Sequence, residues 1–209
     1  ITKVKFDQYD NLYILDAGKG RILKFSPKGK QIAIFGDGGQ GNASFASLSD
    51  ITIDELGNIY VSDHVGRIII MDPQGNVITE WMVGAEKVTL YGIGIDSKKN
   101  IYVADKINQR VLKYDTNGKL LKQYLYEPDY RYSIIYPWGL AVSGDDIIHV
   151  GQLELGYGLI AFDENGNNVN AFEKIAPNSV YIDKKGNVYA SSPGRVVMLD
   201  KDLNEVENW

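Results

Sequence analysis

One pattern, repeated along the whole chain, constrains this sequence more than any other property of it. Residues 90–124 read LYGIGIDSKKNIYVADKINQRVLKYDTNGKLLKQY. Two short β-branched runs, 92–95 and 101–104, flank the polar turn 96–100, so the pair predicts a hairpin. A second polar loop after Asp105 leads into residues 110–114, and the turn 115–119 sends the chain into 120–124. Asn117 and Gly118 both tolerate positive φ, which is a strong local turn signal. The product is a four-stranded antiparallel meander of roughly 35 residues, too small to bury its own faces. Several such sheets must pack on one another.

The other copies align on an aromatic in the second strand. Tyr13, Tyr60, Tyr102, His149 and Tyr189 fill that place, at spacings of 47, 42, 47 and 40 residues. Such spacings fit one propeller blade per repeat. The turn entering the second strand recurs as 7–11, 54–58, 96–100 and 183–187, each opening on Asp and closing on Asn. The third-to-fourth turn recurs around Gly29, Gly75, Gly118, Gly166 and Asn204. Five repeats account for the chain, with blades expected at 1–36, 48–82, 90–124, 137–172 and 177–209 of a single domain spanning 1–209. The fold class is therefore all-β, a β-propeller of four-stranded antiparallel blades. It is either five-bladed or part of a six-bladed ring.

A third recurring feature joins the second and third strands. Asp16 is followed by Arg21, Asp63 by Arg67 and Asp105 by Arg110. An acid ends one strand where a base begins its antiparallel neighbour, so opposite charges meet across the hairpin. Repetition with a matching Arg reads as blade architecture rather than as a ring of catalytic acids.

These residues resemble the NHL-repeat family of β-propellers. Its pattern of a small apolar strand, Asp, Gly-Asn-Ile-Tyr-Val-x-Asp, a short loop, Arg-Ile, an aromatic and Asp-x-x-Gly is matched by residues 53–75 and 95–118. The resemblance covers essentially the whole chain. Blade four departs from it most: Ser143 stands for the turn Asp, Ile147 for the Asn, His149 for the Tyr and Gln152 for the acid, and 153–158 carry no Arg. Blade five has Ser192 in place of the acid but keeps Arg195. Local rules break where a site is built or where a repeat has degenerated.

Composition narrows the function classes. The chain has 209 residues, 44% hydrophobic and 23% charged, an ordinary globular mixture. No run approaches the roughly 18 apolar residues of a spanning helix. With no cysteine, disulfides, thiolate nucleophiles and Cys-ligated metals are excluded. Some relatives of NHL type bind RNA on a basic face, but a net charge of -5 speaks against a nucleic-acid footprint. Many Asn, Gly and Tyr residues lean towards an extracellular or cell-surface setting, with the cytoplasm left open.

In propellers the loop from second to third strand and the connection to the next blade emerge on one face, here called upper. The first connection, 36–49, is Gly-rich and contains Phe45, but no Lys-Ser/Thr follows as a phosphate loop needs. The third is exceptional, with Tyr126, Tyr130, Tyr132 and Tyr136 between Tyr124 and Trp138, and Glu127, Asp129 and Arg131 among them. Rings with polar handles suit a sugar, a peptide or a partner protein. Ligand-binding residues are accordingly expected among Phe45, His64, Tyr91, Tyr130, Arg131, Tyr132, Trp138, Glu154 and Tyr157.

Only two histidines occur, His64 and His149, so the three-histidine zinc site that the resemblance would suggest for propeller lyases cannot be assembled. His64 reads as a loop residue and His149 as a core one. No catalytic residue and no cofactor are expected, while calcium bound by oxygens in the central channel stays open. The expected function is a non-catalytic binding or scaffold module recognising a protein, peptide or glycan through its upper-face loops. The alternatives are a metal-dependent hydrolase or lyase with a site in the channel, and a structural subunit of a surface assembly.

Overall fold

The computed structural model of the chain describes residues 3–36, 41, 43–84, 86–125, 133–153 and 158–209. Among them are five four-stranded antiparallel sheets, each with its strands in sequence order. Blade one is β1 (Lys3–Phe6), β2 (Leu12–Asp16), β3 (Arg21–Phe25) and β4 (Gln31–Gly36). Blade two is β5 (Leu48–Ile53), β6 (Ile59–Asp63), β7 (Arg67–Met71) and β8 (Val77–Met82). Blade three is β9 (Leu90–Ile95), β10 (Ile101–Asp105), β11 (Arg110–Tyr114) and β12 (Leu120–Leu125). Blade four is β13 (Pro137–Val142), β14 (Ile148–Gln152), β15 (Leu159–Phe162) and β16 (Asn168–Phe172). Blade five is β17 (Ser179–Ile182), β18 (Val188–Ser192), β19 (Arg195–Leu199) and β20 (Glu205–Asn208). Helix among the described residues is confined to the 3-10 turn Ala17–Lys19. The all-β expectation of five four-stranded propeller blades holds.

The chain divides into two compact units, Ile1–Ile93 and Gly94–Trp209. In the first, the core joins blades one and two: Tyr13, Leu15, Ile22 and Phe35 pack against Ile51, Ile59, Val61 and Ile69. In the second, Leu159, Ala161 and Phe172 of blade four meet Val180, Val188, Ala190 and Val197 of blade five. Every residue of β6 and of β14 is buried, the polar Ser62, Asp63, His149 and Gln152 included. A Cβ on Gly139 would lie 3.1 Å from the backbone of Ser179 and Val180. Inner strands β13 and β17 thus approach closely, at a distance that glycine accommodates without displacing its neighbour.

The recurring Asp, Asn and aromatic are parts of one hydrogen-bonded device. In blade one, Asp7 Oδ1 accepts the backbone N–H groups of Tyr9 and Asn11, while Oδ2 accepts the Asn11 amide at 2.8 Å and the Tyr13 hydroxyl at 3.3 Å. Asp54, Asp96 and Asp183 repeat this with Tyr60, Tyr102 and Tyr189. Side chains that bond their own backbone two residues on fix such turns. Burial on its own would raise the carboxyls of Asp7 and Asp96, but the bonds from Asn11 and Asn100 hold both below the ordinary range. Burial pushes Tyr13, Tyr60 and Tyr102 up, reinforced by the neighbouring carboxylate at Tyr13 and Tyr60 and by Tyr124, then Asp96, at Tyr102.

Blade four lacks the device. Ser143 Oγ stands 3.2 Å from the Ile147 N–H and carbonyl, and His149 Nδ1 is buried with no hydrogen-bond partner. His149 is nevertheless core, as expected, and burial lowers its pKa to about 4.

The Asp and Arg pairs form as expected. Arg21 meets Asp16 at 3.0 Å, Arg67 meets Asp63 at 3.2 Å and Arg110 meets Asp105 at 2.9 Å. In blade four the acid's place is taken by buried Gln152, whose Oε1 accepts the Ile135 N–H. In blade five, Arg195 turns instead to Glu205 at 3.6 Å and to the Lys174 carbonyl at 2.8 Å.

Candidate ligand-binding site

Side-chain alternation puts Lys3 and Lys5 on one side of β1 and Val4 and Phe6 on the other. On the lysine side stands buried Asp50 of β5, with Lys5 Nζ 3.9 Å from its Oδ1. That oxygen also accepts the Ile51 N–H at 2.8 Å. Burial pulls the Lys3 amine below its usual range; Lys5 adds to the fall and Asp50 opposes it. Two amines thus face one buried carboxylate.

Close by in the chain, the ladder of blade two shifts register between Leu48 and Asp50. Ser49 Oγ donates to the Leu90 carbonyl at 2.8 Å, and Ser62 Oγ donates to the Tyr91 carbonyl at 2.7 Å. His64 Nδ1 lies 3.1 Å from the same Leu90 carbonyl, a contact that requires the proton on Nδ1. Its ring meets Tyr91 edge-on, centroids 4.7 Å apart and planes at 63°. Burial raises the Tyr91 hydroxyl pKa. His64 and Tyr91, both predicted as site residues, are thus brought together at the upper end of blade two.

Phe45, predicted beside them, is half-buried against the core of blades one and two. A Cβ on Gly36, whose φ is +89°, would fall 2.6 Å from the Phe45 ring. The ring therefore lies on bare glycine backbone and caps blade one.

In the second unit the described part of the aromatic connection is residues 133–136. Tyr136 is 42% exposed with φ 43°, immediately before Pro137. Two residues on, the Trp138 ring lies 4.4 Å from Lys106 Nζ, a cation–π contact. The remaining predicted residues, Tyr130, Arg131, Tyr132, Glu154 and Tyr157, lie outside the described residues. Among the described residues no three His, Asp or Glu side chains group to hold a metal ion.

No protein-family model and no curated protein matches this sequence. Solved structures do match it in shape. Virginiamycin B lyase from Staphylococcus aureus is 13% identical with a TM-score of 0.73, over 99% of this chain and 68% of that one. A protein of unknown function from Bacteroides caccae is 14% identical with a TM-score of 0.71, over 98% and 79%. A gluconolactonase from Xanthomonas campestris is 15% identical with a TM-score of 0.70, over 95% and 71%. The likeness is one of fold. It places this chain among β-propellers, and at such identities it carries no residue roles across.

Sequence reading missed four participants. Lys3, Lys5 and Asp50 come from the inner strands of two blades, and no spacing rule makes them neighbours. Lys106 looked like any solvated loop lysine. Tyr136 was visible as one of four tyrosines, but its left-handed backbone has no sequence signal beyond an unremarkable Tyr-Pro.

Proposed function

We propose that this chain is a non-catalytic binding β-propeller that recognises a peptide, protein or glycan at the upper ends of its blades. The observation that carries the reading is Tyr136. A non-glycine residue with φ 43° before proline is doubly disfavoured, because proline pushes its predecessor towards extended backbone. Such a conformation costs on the order of 1–3 kcal/mol and concentrates at functional positions. Packing of the ring does not offset that cost, since Tyr136 is exposed. Its neighbour Trp138 is held by Lys106, and Tyr130, Arg131 and Tyr132 belong to the same connection. An exposed Tyr beside a half-buried Trp, with an Arg in the same connection by sequence, has the composition of a binding hot spot. Within the first unit, His64 and Tyr91 supply a second ring pair of the same kind, and the second-to-third-strand loop of blade four carries Glu154 and Tyr157 in its sequence. A setting outside the cell, where glycans and peptides are met, goes with this reading.

The test is a glycan array and a displayed peptide library, probed with the parent chain and with Tyr136→Ala/Trp138→Ala. A ligand bound by the parent and lost in the variant, at unchanged melting temperature, supports the reading. A ligand bound equally by both overturns it.

One observation favours a second reading, an enzyme. Lys3, with its lowered proton affinity, and buried Asp50 have the make-up of an acid–base pair, and solved relatives in shape include a lyase and a gluconolactonase. Turnover of a lactone panel that disappears in both Asp50→Asn and Lys3→Met would establish it; absence of turnover in the parent would remove it.

A further inference from the structure

Blade four keeps the backbone of the repeated Asp turn but not its carboxylate. The Ser143 N–H donates to the Ile147 carbonyl at 2.9 Å, the Asp146 N–H donates to the Ser143 carbonyl at 3.0 Å, and Asp146 takes φ 63°. Blade three closes the same turn with Asp96, Asn100 and Lys99, at 3.0 Å and 3.0 Å, with φ 65° at Lys99. Ser143 therefore stands where Asp96 carries its carboxylate, but its hydroxyl bonds only within the turn, to Asp145 and Ile147. In blade three, Asp96 joins Tyr102 on the second strand, Lys113 opposite it on the third and, through Lys113, Glu164 in the third-to-fourth turn of the next blade. The corresponding places around blade four hold Ser143, His149, Ala161 and Lys201. Two carboxylates and an amine give way to an imidazole and an amine, and two long side chains to Ala161 and a shorter ring.

The space left is a cavity of about 380 Å³ between blades four and five, at the end of β13 opposite Tyr136. His149 lines it, only 3% exposed, and its Nδ1 has no hydrogen-bond partner. A buried polar atom in that state carries its full desolvation penalty until something in the cavity takes the bond. Lys184, Lys185 and Lys201 line the blade-five wall. Asp145 and Asp183 face the same space, and both are engaged: Asp145 accepts the Ser143 hydroxyl, and Asp183 holds its own turn through Lys185, Asn187 and Tyr189. With His149 neutral, three amines against two carboxylates leave one positive charge in excess.

The geometry points to a binding site for a small organic acid, whose carboxylate fills the place of Asp96 in blade three, accepts from His149 Nδ1 and is balanced by Lys201 with Lys184 and Lys185. The turn itself favours a carboxylate over other anions, because Asp7, Asp54, Asp96 and Asp183 put one there in each of the other four blades. A planar pair of oxygens can also take a ring N–H and an amine together. The volume lies in the range of small-molecule sites and leaves room for an organic body behind the carboxylate. A metal cation would meet the excess positive charge.

The test is a titration with succinate at pH 7 and constant ionic strength, read from the ring nitrogen signals of His149 by NMR. His64, the only other histidine of the chain, is the internal reference. Saturable movement of the His149 signals with His64 unmoved is expected, and Lys201→Gln is expected to weaken half-saturation about tenfold through the loss of one charged partner. Ser143→Asp supplies the carboxylate from the chain itself. It is expected to bring the His149 signals of the ligand-free protein close to their succinate-bound position and to abolish the response; should it fail to fold, Lys201→Gln still decides. Acetate and inorganic phosphate are titrated in parallel. Acetate moving the same signals at higher concentration supports the site. Phosphate binding as tightly as succinate, or sodium chloride producing the same movement, overturns it in favour of an unselective cationic patch. His149 signals that stay still in succinate, or a response that survives unchanged in Ser143→Asp or Lys201→Gln, overturn it as well.

Discussion

Tyr102 donates its hydroxyl to Asp96 Oδ2 at 3.2 Å, and Lys113 Nζ stands 3.4 Å from that same oxygen and 5.0 Å from the Tyr102 ring centroid. One buried carboxylate thus ties together the turn, the second strand and the third strand of blade three. Blade one repeats the arrangement with Asp7, Tyr13 and Lys24. In blade two the residue opposite Tyr60 is Ile70 rather than a lysine.

Removing Asp96 takes the shared acceptor from the Tyr102 hydroxyl, the Asn100 amide and the nearly buried Lys113 amine, which keeps only Glu164 at 3.5 Å on the partly exposed side. Asp96→Ala is expected to cost about 3 kcal/mol, because an unpaired buried polar group carries its full desolvation penalty and a charge more. Tyr102→Phe, which removes one bond, is expected to cost about 1 kcal/mol. Urea denaturation of the two variants measures both; equal costs would contradict the account of Asp96 as a hub.

The Asp and Arg pairs are graded by burial. Asp105 has no solvent contact and also accepts from Asn108 at 2.7 Å, whereas Asp16 and Arg21 are 19% and 28% exposed. Asp105→Ala is expected to cost about 1–3 kcal/mol and Asp16→Ala under about 1 kcal/mol. Thermal melts decide between this and a catalytic role: an Asp105→Ala protein as stable as the parent but lacking a binding or enzymatic activity would restore the latter.

His149 makes stability depend on pH. Its folded pKa is depressed to about 4, below the ordinary 6.5, by burial, with Asp145 opposing. Between those values the unfolded chain takes up a proton that the folded chain refuses, so stability falls as pH drops from 6.5 towards 4. At roughly 1.4 kcal/mol per unit the loss is about 3 kcal/mol at most. His149→Phe is expected to flatten this window. Asp7 and Asp96, also depressed, contribute stability that is lost only as pH falls further, through their folded pKa values. Denaturation at pH 7, 5.5 and 4.5 in parent and variant reads the difference; identical slopes would place the sensitivity elsewhere.

The hairpin turn of each blade has one left-handed residue. Gly57 and Gly186 fill it at φ 83° and 84°, but Lys99 fills it in blade three at φ 65°. Lys99→Gly relieves a conformation that side chains avoid and is expected to stabilise blade three by about 0.5–1 kcal/mol. A lower melting temperature would mean that Lys99 contributes contacts worth more than the strain.

The sequence laid out the blades because their information is local. Turn pairs such as Asp96 with Asn100, and strand runs such as 101–104, are adjacent in the chain and recur. It also brought His64 and Tyr91 onto one end, since the repeat dictates which loops share it. What it left unread is non-local or conformational. Lys3, Lys5 and Asp50 meet because β1 and β5 pack across blades, and the pairing of Gln152 with the Ile135 N–H comes from a connection of irregular shape.

The central claim, recognition at the upper end beside Tyr136, is tested most directly by Trp138 fluorescence. The chain has three tryptophans, so Trp81→Phe/Trp209→Phe leaves Trp138 as sole reporter. Titration with a ligand taken from the array is expected to shift its emission and to shield it from acrylamide quenching, with a midpoint equal to the binding constant measured independently. A ligand that binds with the same constant while the emission and quenching of Trp138 stay unchanged would contradict the account.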